Sequence, residues 1–479
     1  MSQDVIRTLA GRCRLGIGCA DITPPPDAYH RNWGAALHDA AEGIHRPLRA
    51  TAMLLQGLED GPEQLLVALD LGWLRAREME RLLEQVSAGT GVALECLSVV
   101  FSHTHSAVNL DLSRIDEPGG DHITPFLERL PGDIVEAAEK ARSAVRPVDL
   151  TFARGCCGLA MHRDYRDEER QVFVCGPNPG GPADDAVWVM RAADLSGETL
   201  AYLVNYACHP TTLAWENRLI SPDYIGGMRE LVEETTGVPC MYLLGASGDL
   251  GPRDGFTGDT VVADRNGRRL GYAALEAIES MPPPGTEMRY VEPVISGATL
   301  GIWEHRPFAP ERLEAVQIFR FAQLQIDLPF KEMKSREELE ADLEMWREKE
   351  DAARREEHTL DVRDCRARIE RVRRALGRLE GLPPSGRATY CPQLWQLGEG
   401  VLVAVGGEPY NLFQRALREG FPDVPILIAE LSNRPHSYIL PVDQCGRGHY
   451  QDEISTLAPG SLELIIDVIG AQLREWGLG

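Results

Sequence analysis

The stretch VVFSHTHSAVN, residues 99–109, joins an apolar, β-branched run to two histidines that are separated by one threonine. A run of this kind predicts a buried strand. Side chains at i and i+2 of an extended chain point to the same face, so His103 and His105 are expected side by side at the strand end. Such a pair suits a metal site or proton transfer, and it equally suits two polar neighbours that only satisfy each other.

Strand-like and helix-like segments alternate around this stretch for most of the chain. The apolar segment QLLVALDLGWL, residues 64–74, precedes the amphipathic segment RAREMERLLEQVSAGTG, which ends on a glycine as helices often do. This alternation predicts one large domain, residues 1–479, of the α/β (α+β) class and built on a mixed sheet.

A segment at about residues 310–380 has a different composition, because it is rich in Glu and Arg and poor in Gly and Pro. It predicts an inserted charged helical hairpin that stands off the sheet. The hairpin is either an arm that binds a partner or a solvated pair of helices, and the second interpretation is the one that we favour.

Composition narrows the class of protein. The chain has 479 residues, 43% of them hydrophobic, and a formal net charge of −24, which argues against nucleic acid and anionic lipid as partners. No apolar run approaches the ~20 residues of a membrane helix, and the N-terminus lacks the apolar region of a secretory signal. The eleven cysteines show no metal-finger spacing and predict reduced thiols in a cytoplasmic protein.

Two more polar residues follow apolar, strand-like runs. His209 comes after LVNYAC, and Glu408 comes after VLVAVGG. Ligands gather outside strand ends in open sheets, and two or more histidines with one carboxylate are a common ligand set for catalytic Zn²⁺. The alternative for Glu408 is simple capping of a helix N-terminus.

Several motifs occur in the order seen in the neutral/alkaline ceramidase family: ADITPP, SHTHS, NYACHPTTL…ISPDY, LLGASGDLGPRD, GGEPY and SNRPHSYILPVDQCGRGHYQDE. From about residue 16 to the C-terminus the chain resembles this family of zinc amidohydrolases, which split the N-acyl bond of ceramide. The resemblance implies that Zn²⁺ is held by His103, His209, Glu408 and Tyr438. It places His105 beside the metal, where it would hydrogen-bond the oxyanion or pass a proton.

The resemblance also implies functions for residues near the metal. Arg163 would face the scissile group and stabilise negative charge. Asp249 and Gly251 would lie on the substrate side of the glycine-rich loop, with Gly251 at the position of a family serine. Pro435 stands where the family has a second tyrosine. Without that serine, metal-bound hydroxide is the expected nucleophile.

Other family features are missing from the sequence, namely the secretion signal and the C-terminal β-sandwich domain, and residues 30–47 are polar. We therefore expect a cytoplasmic, zinc-dependent hydrolase that cleaves an amide-type bond of a small, polar molecule. The alternatives are an esterase or lactonase with the same metal site, and an inactive scaffold or binding protein of the same fold. The partner is expected to be a small-molecule substrate, and a homo-oligomer is left open.

Overall fold

The computed structural model describes residues 4–59, 61–434 and 436–479. In that part of the chain the largest sheet has eight strands, in the spatial order Cys240–Leu244, Thr199–Tyr206, Ala186–Asp194, Arg146–Cys156, Ala10–Asp21, Arg49–Gln56, Gln64–Leu69 and Leu97–Phe101. The strand pair at each edge is parallel, and the other neighbours are antiparallel. The predicted mixed sheet is thus confirmed.

A second sheet packs against one face of this large sheet. Its strands are Phe319–Gln323, Gln393–Leu397, Gly400–Ala404 and Ile426–Ala429. Alternating residues of the large sheet face opposite ways, so Met53 and Leu55 pack with the fully buried Trp395 of the second sheet, whereas Leu54 packs on the other face. Burial on both faces explains why the strands read as nearly continuous apolar runs.

Helices cover the outer faces of both sheets. Ala76–Thr90, Ile123–Ser143, Tyr224–Thr236 and Thr260–Glu279 cover the large sheet, and Leu412–Gly420 and Ser461–Glu475 cover the second sheet. Gly16 lets the helix Ile123–Ser143 lie directly on its strand, since a Cβ there would be 2.1 Å from the Ala141 carbonyl oxygen. The result is a four-layer α–β–β–α domain, as the α/β prediction requires.

Shorter elements connect these layers. The short strands are Val5–Ile6, Ala160–His162, Asp164–Asp167, Val172–Cys175, Leu250–Pro252, Ile326–Pro329, Arg387–Tyr390, Glu408–Pro409 and Tyr438–Ile439. Two longer strands, Thr286–Ser296 and Ala298–Pro307, pair with each other in antiparallel fashion. The short helices are Pro310–Val316 and Tyr450–Ile454, with single 3₁₀ turns at Leu94–Cys96, Leu112–Arg114, Gly120–His122 and Val442–Gln444.

The charged hairpin consists of the helices Arg336–Arg355 and Thr359–Glu380. It begins later than the predicted residue 310, because residues 310–329 form a short helix and two strands instead. It also does not stand off the sheet. Glu370 on its second helix forms a buried ion pair of 2.5 Å with Arg114, and Gly34 packs against Ala367. The expectation of a fully solvated hairpin was wrong because its inner face finds partners on the domain.

The curvature of the large sheet determines where the strand ends meet. Its two edge strands, Cys240–Leu244 and Leu97–Phe101, contact each other. The segment after Ile426–Ala429 joins both of them through the backbone, because the N–H of Glu430 donates to the Leu244 oxygen at 2.9 Å and that of Asn433 to the Val99 oxygen at 3.0 Å. The segments that follow these strands are therefore held together in space.

No helix within the described ranges is long and apolar enough to cross a bilayer. All eleven cysteines lie in the described part of the chain, and none of them forms a disulfide there.

Candidate functional site

His103 lies just after the strand Leu97–Phe101, in a turn. Its φ of 63° is in the left-handed region, which residues other than glycine adopt uncommonly and often at functional sites. Its Nδ1 is 2.9 Å from the Gly72 carbonyl oxygen. Because a carbonyl only accepts, Nδ1 donates the proton and Nε2 keeps a free lone pair. The predicted pairing with His105 is found, but this turn produces it rather than an extended chain.

Three imidazoles and one carboxylate converge here. The Nε2 atom of His105 is 3.3 Å from that of His103 and 3.2 Å from that of His209. Oε2 of Glu408 is 3.3 Å from Nε2 of His103 and 3.7 Å from Nε2 of His209. This oxygen is buried and has no hydrogen-bond partner among the described residues. Four acceptor atoms around one point, one of them unsatisfied, fit a bound cation.

Glu408 does not cap a helix, which removes the alternative interpretation of this residue. The helix Leu412–Gly420 begins after Asn411, whereas Glu408 forms a short strand that pairs in parallel with Tyr438. The Tyr438 ring centroid is 6.3 Å from that of His209, and its hydroxyl accepts a hydrogen bond of 3.1 Å from Arg163. Tyr438 therefore lies beside the cluster, as the resemblance implied.

The electrostatics favour neutral ligands. Burial lowers the pKa of His105 and His209 well below the usual range, and the Arg163 charge adds to this effect at both residues. Neutral imidazole is the form that binds metals. Burial, together with the Glu408 charge, raises the pKa of Tyr438 well above its usual range, so the phenol keeps its proton unless a cation lies next to it.

Arg163 is buried between the glycine-rich loop and Tyr438. One terminal nitrogen donates to the Gly248 carbonyl oxygen at 2.8 Å and to the Tyr438 hydroxyl, while its buried Nε has no partner within the described ranges. Burial opposes its charge, but Tyr438 and other acidic neighbours raise its pKa overall. The guanidinium thus stays charged and retains one unused donor.

Gly251 lines a small pocket beside Arg163, together with Met161, Pro252 and Phe256. A Cβ at Gly251 would meet its nearest neighbour, Cδ of Arg163, at 3.5 Å, which is ordinary van der Waals contact. Space does not require glycine here. The position is open where the family resemblance expects a serine.

Asp249 has protein partners on both carboxylate oxygens. One accepts from the Asn411 backbone N–H at 2.6 Å, and the other is 3.6 Å from Nε2 of His162. Burial raises its pKa to about 6. These contacts fasten the glycine-rich loop to the start of a helix, so its assignment to substrate binding stays a prediction. Pro435 lies outside the described residues, and its comparison with the family tyrosine stays a prediction as well.

A buried carboxylate behind the cluster was missed by the sequence analysis. The Ser247 hydroxyl donates to Oε1 of Glu430 at 2.6 Å and lies 3.5 Å from Nδ1 of His209. The Ser247 backbone N–H donates to Oε2 of Glu430 at 3.0 Å. Burial raises the pKa of Glu430 well above its usual range. The signal was present, because Glu430 follows the apolar run PILIA just as Glu408 follows its own strand.

Aromatic rings, also missed, form one wall of the site. The Trp33 ring centroid is 5.2 Å from that of His105, and Phe256 packs edge-on against Trp33 at 5.8 Å. The Trp73 ring is 5.9 Å from His103 and 6.0 Å from His105. Trp33 belongs to the polar segment 30–47, whose composition hid its aromatic contribution.

The chain is similar in sequence to a curated protein. A neutral ceramidase from Pseudomonas aeruginosa is 25% identical over 228 residues, which are 44% of this chain and 32% of that protein. The chain therefore spans about a third of the length of this curated relative. No family model matches the chain.

Solved structures show the likeness over a longer range. The crystal structure of neutral ceramidase from Pseudomonas aeruginosa superimposes with a TM-score of 0.64 and 16% identity, covering 97% of this chain and 75% of that one. A ceramidase complexed with C2 gives the same score over 97% of this chain and 76% of that one. The chain is thus similar in sequence to a neutral ceramidase over part of its length, and it shares its fold with the solved ceramidase structures over nearly all of it.

Proposed function

We propose that the chain is a zinc-dependent hydrolase that cleaves an amide bond of a small, polar N-acyl compound. The observation that carries this proposal is the buried, unsatisfied Oε2 of Glu408, which faces Nε2 of His103 and of His209 at 3.3 and 3.7 Å. Histidine nitrogens with one carboxylate oxygen are the donor set that zinc prefers in hydrolytic sites. The sequence match to a neutral ceramidase supports amide hydrolysis.

His103, His209, Glu408 and Tyr438 would hold the metal. When bound, the metal supplies a Lewis acid that polarises a carbonyl and ionises water near neutral pH. The carbonyl at His103 Nδ1 and the hydroxyl at His209 Nδ1 leave the Nε2 atoms directed at the cluster. The protein thus provides two imidazole nitrogens that are already oriented toward a cation.

The remaining residues handle the charge and the proton. In hydrolysis, a water oxygen adds to the carbonyl carbon, the C–N bond breaks, and the leaving nitrogen takes up a proton. His105, neutral and within 3.3 Å of both other imidazoles, is placed to hydrogen-bond the carbonyl oxygen, or to accept a proton from the attacking water and pass it to the leaving nitrogen. The unused donor of Arg163 stabilises the negative charge that develops on the oxygen.

We further propose a reducing compartment, the cytoplasm, as the site of action, since the unpaired cysteines fit it. The proposed substrate is smaller and more polar than ceramide. Residues 30–47, where the family contacts substrate, supply Trp33 and eight polar or charged side chains, and they contain no run of large apolar side chains.

A substrate panel tests this proposal. It compares wild type with Glu408→Gln on long-chain ceramide, short N-acyl amides, and the matching esters and lactones. We expect hydrolysis of short amides that Glu408→Gln abolishes. Ceramide cleavage at or above ~10⁴ M⁻¹s⁻¹ in kcat/KM would overturn the substrate class, and cleavage of esters alone would make the protein an esterase. A metal-loaded wild type that cleaves none of them would contradict the proposal.

A further inference from the structure

A row of arginines lies on one face of the second hairpin helix, Thr359–Glu380. Arg371, Arg374 and Arg378 are three and four residues apart, the spacing that puts side chains on one face of a helix. Arg75 reaches the same face from the domain, and its guanidinium packs so closely on Gly377 that any Cβ there would overlap with it. The absence of a side chain at Gly377 lets a further cation join the row.

Arg374 connects this row to the histidine cluster. Its guanidinium carbon is 5.6 Å from the ring centroid of Trp73, and the Trp73 ring is 6.0 Å from that of His105. One terminal nitrogen of Arg374 donates to the Asn32 carbonyl oxygen at 2.6 Å, in the segment that carries Trp33. One aromatic ring thus separates the arginine row from the imidazoles.

Arg371 makes a similar connection on the other side. Its guanidinium carbon is 5.9 Å from the ring centroid of Tyr450, and the Tyr450 ring is 6.0 Å from that of Tyr438. Arg371 is already neutralised, because it forms an ion pair with Glu453. The unneutralised charge of the row must therefore come from its other members.

The carboxylates around the row do not balance it. Arg378 has no carboxylate within 4 Å and no side-chain hydrogen bond among the residues that the structure describes. Arg75 pairs with Asp111 at 2.5 Å. Glu370 is shared, at 3.0 Å from Arg374 and 2.5 Å from Arg114, so Arg378 carries the excess charge of the row. Burial and the neighbouring arginines lower the pKa of Arg378 to about 10. An excess of positive charge beside the site is notable in a chain whose net charge is −24.

We propose that Arg378, with Arg374 and Arg75, binds an anionic group of the substrate, a carboxylate or phosphate, while the amide bond reaches the histidine cluster. The guanidinium fork matches the geometry of both oxyanions. This inference rests on the proposed function and narrows the substrate to N-acyl compounds that carry a negative charge, such as an N-acyl amino acid. A carboxylate in this position would supply the partner that Arg378 lacks.

Kinetics on a matched substrate pair test this proposal. N-acetylleucine and N-acetylleucine amide differ in one negative charge. We expect wild type to prefer the acid, and Arg378→Gln to lower kcat/KM for the acid by roughly tenfold or more while the value for the amide stays within about twofold. Arg363→Gln is the control, because it removes a cation that pairs with Asp364 at the far end of the same helix. Equal losses for both substrates, or no loss for either, would overturn the proposal.

Calorimetry separates this inference from the proposed reaction. Orthophosphate and N-acetylleucine are titrated into wild type, Arg378→Gln and Arg363→Gln, with no turnover required. If no amide is hydrolysed but Arg378→Gln alone binds an anion more weakly, the reaction is wrong and the anion site stands. Equal binding of both anions by all three proteins, or no binding by wild type at millimolar concentration, overturns the anion site. Weakened binding of phosphate only, or of N-acetylleucine only, identifies the oxyanion.

Discussion

The histidine cluster and the charged hairpin are both rich in ionisable groups, but the cluster holds unpaired acceptors whereas the charges of the hairpin are mostly paired. In the cluster, burial keeps His105 and His209 neutral, and Glu408 keeps an unsatisfied oxygen. In the hairpin, most guanidiniums face a carboxylate, as that of Arg374 does with Glu370 on the same helix. Unpaired acceptors around one point indicate a place for a cation, whereas paired charges indicate a structural contact. The same comparison makes Arg378 stand out, because it lies in the arginine row beside the cluster and has no carboxylate within 4 Å among the described residues.

The largest expected effect comes from removing a proposed ligand. His209→Ala should lower the metal content from about one ion per chain to near zero and abolish amide hydrolysis, because the site loses one of its donors. Elemental analysis measures the content. His305→Ala, at an exposed histidine on the strand Ala298–Pro307, is the control and should keep both. Equal metal content in His209→Ala and His305→Ala would show that the metal is not bound by the histidine cluster.

The two neighbouring histidines should differ in their effects. His103→Ala should lose the metal, whereas His105→Ala should keep it and lose turnover by about 10²–10⁴-fold, the range for a residue that handles a proton. Metal content and turnover are measured on the same preparations. Loss of metal in His105→Ala with metal retained in His103→Ala would reverse the assignment.

The buried ion pair between Arg114 and Glu370 tests whether the paired charges hold the hairpin on the domain. Glu370→Gln removes the close counter-ion of the buried Arg114, leaves only Asp111 at 3.7 Å, and should lower the free energy of unfolding by about 3 kcal/mol. Urea unfolding measures it, and Glu344→Gln, which removes an exposed partner of Arg347, should change nothing measurable. A negligible effect at Glu370 would mean that the hairpin is not held by this contact.

The same pair predicts a pH dependence. Burial opposes the charge of Glu370, but Arg374 and Arg114 prevail and lower its pKa below the usual range. The stabilisation is therefore present above the ordinary pKa of a glutamate and is lost as the pH falls through the lowered value. The difference between wild type and Glu370→Gln should shrink between about pH 7 and about pH 3. A difference that grows on acidification would contradict this assignment.

A substitution at Ser247 tests whether its hydroxyl, which lies 3.5 Å from Nδ1 of His209, helps His209 to bind the metal. Removing its hydroxyl in Ser247→Ala should weaken metal binding by roughly 10–100-fold, while turnover at saturating metal is largely kept. Ser98→Ala removes an equally buried hydroxyl that bonds Ser432, and it should leave metal affinity unchanged. A loss of turnover of about a thousandfold with metal still bound would instead mean that Ser247 acts as a nucleophile in place of the family serine.

The smallest effect is expected at Gly251. Gly251→Ser should change the free energy of unfolding by less than about 1 kcal/mol, because its Cβ meets atoms at 3.5 Å or more. Gly248→Ser is the contrast, since a Cβ there would be 2.6 Å from the Glu408 carbonyl oxygen and should destabilise the loop. Thermal unfolding compares them. Similar losses of stability in Gly251→Ser and Gly248→Ser would show that position 251 has no room for a side chain.

Much of the site could be predicted because its signals are local. His103, His209 and Glu408 each follow a buried apolar run directly, and a strand end is visible in a window of about ten residues. The mixed α/β class follows from the same alternation. What the sequence could not show is how the strand ends are brought together, since that depends on the curvature of the sheet and on backbone contacts such as that between Asn433 and Val99.

The contacts of the hairpin, in contrast, could not be predicted from the sequence. Its helices are evident from composition, but their contacts join residues far apart in the chain, such as Arg114 and Glu370, which are 256 positions apart. A run of charged residues has no periodic signal that says which charges are paired. The turn at His103 was equally hidden, because a positive φ at a histidine follows from tertiary packing.

Anomalous diffraction at the zinc edge tests the central claim most directly. From crystals of the wild-type protein, the account predicts one peak bonded to Nε2 of His103, Nε2 of His209 and Oε2 of Glu408, with the Tyr438 hydroxyl as the fourth ligand and His105 unbonded. A zinc-loaded crystal with no peak among these residues would contradict the account.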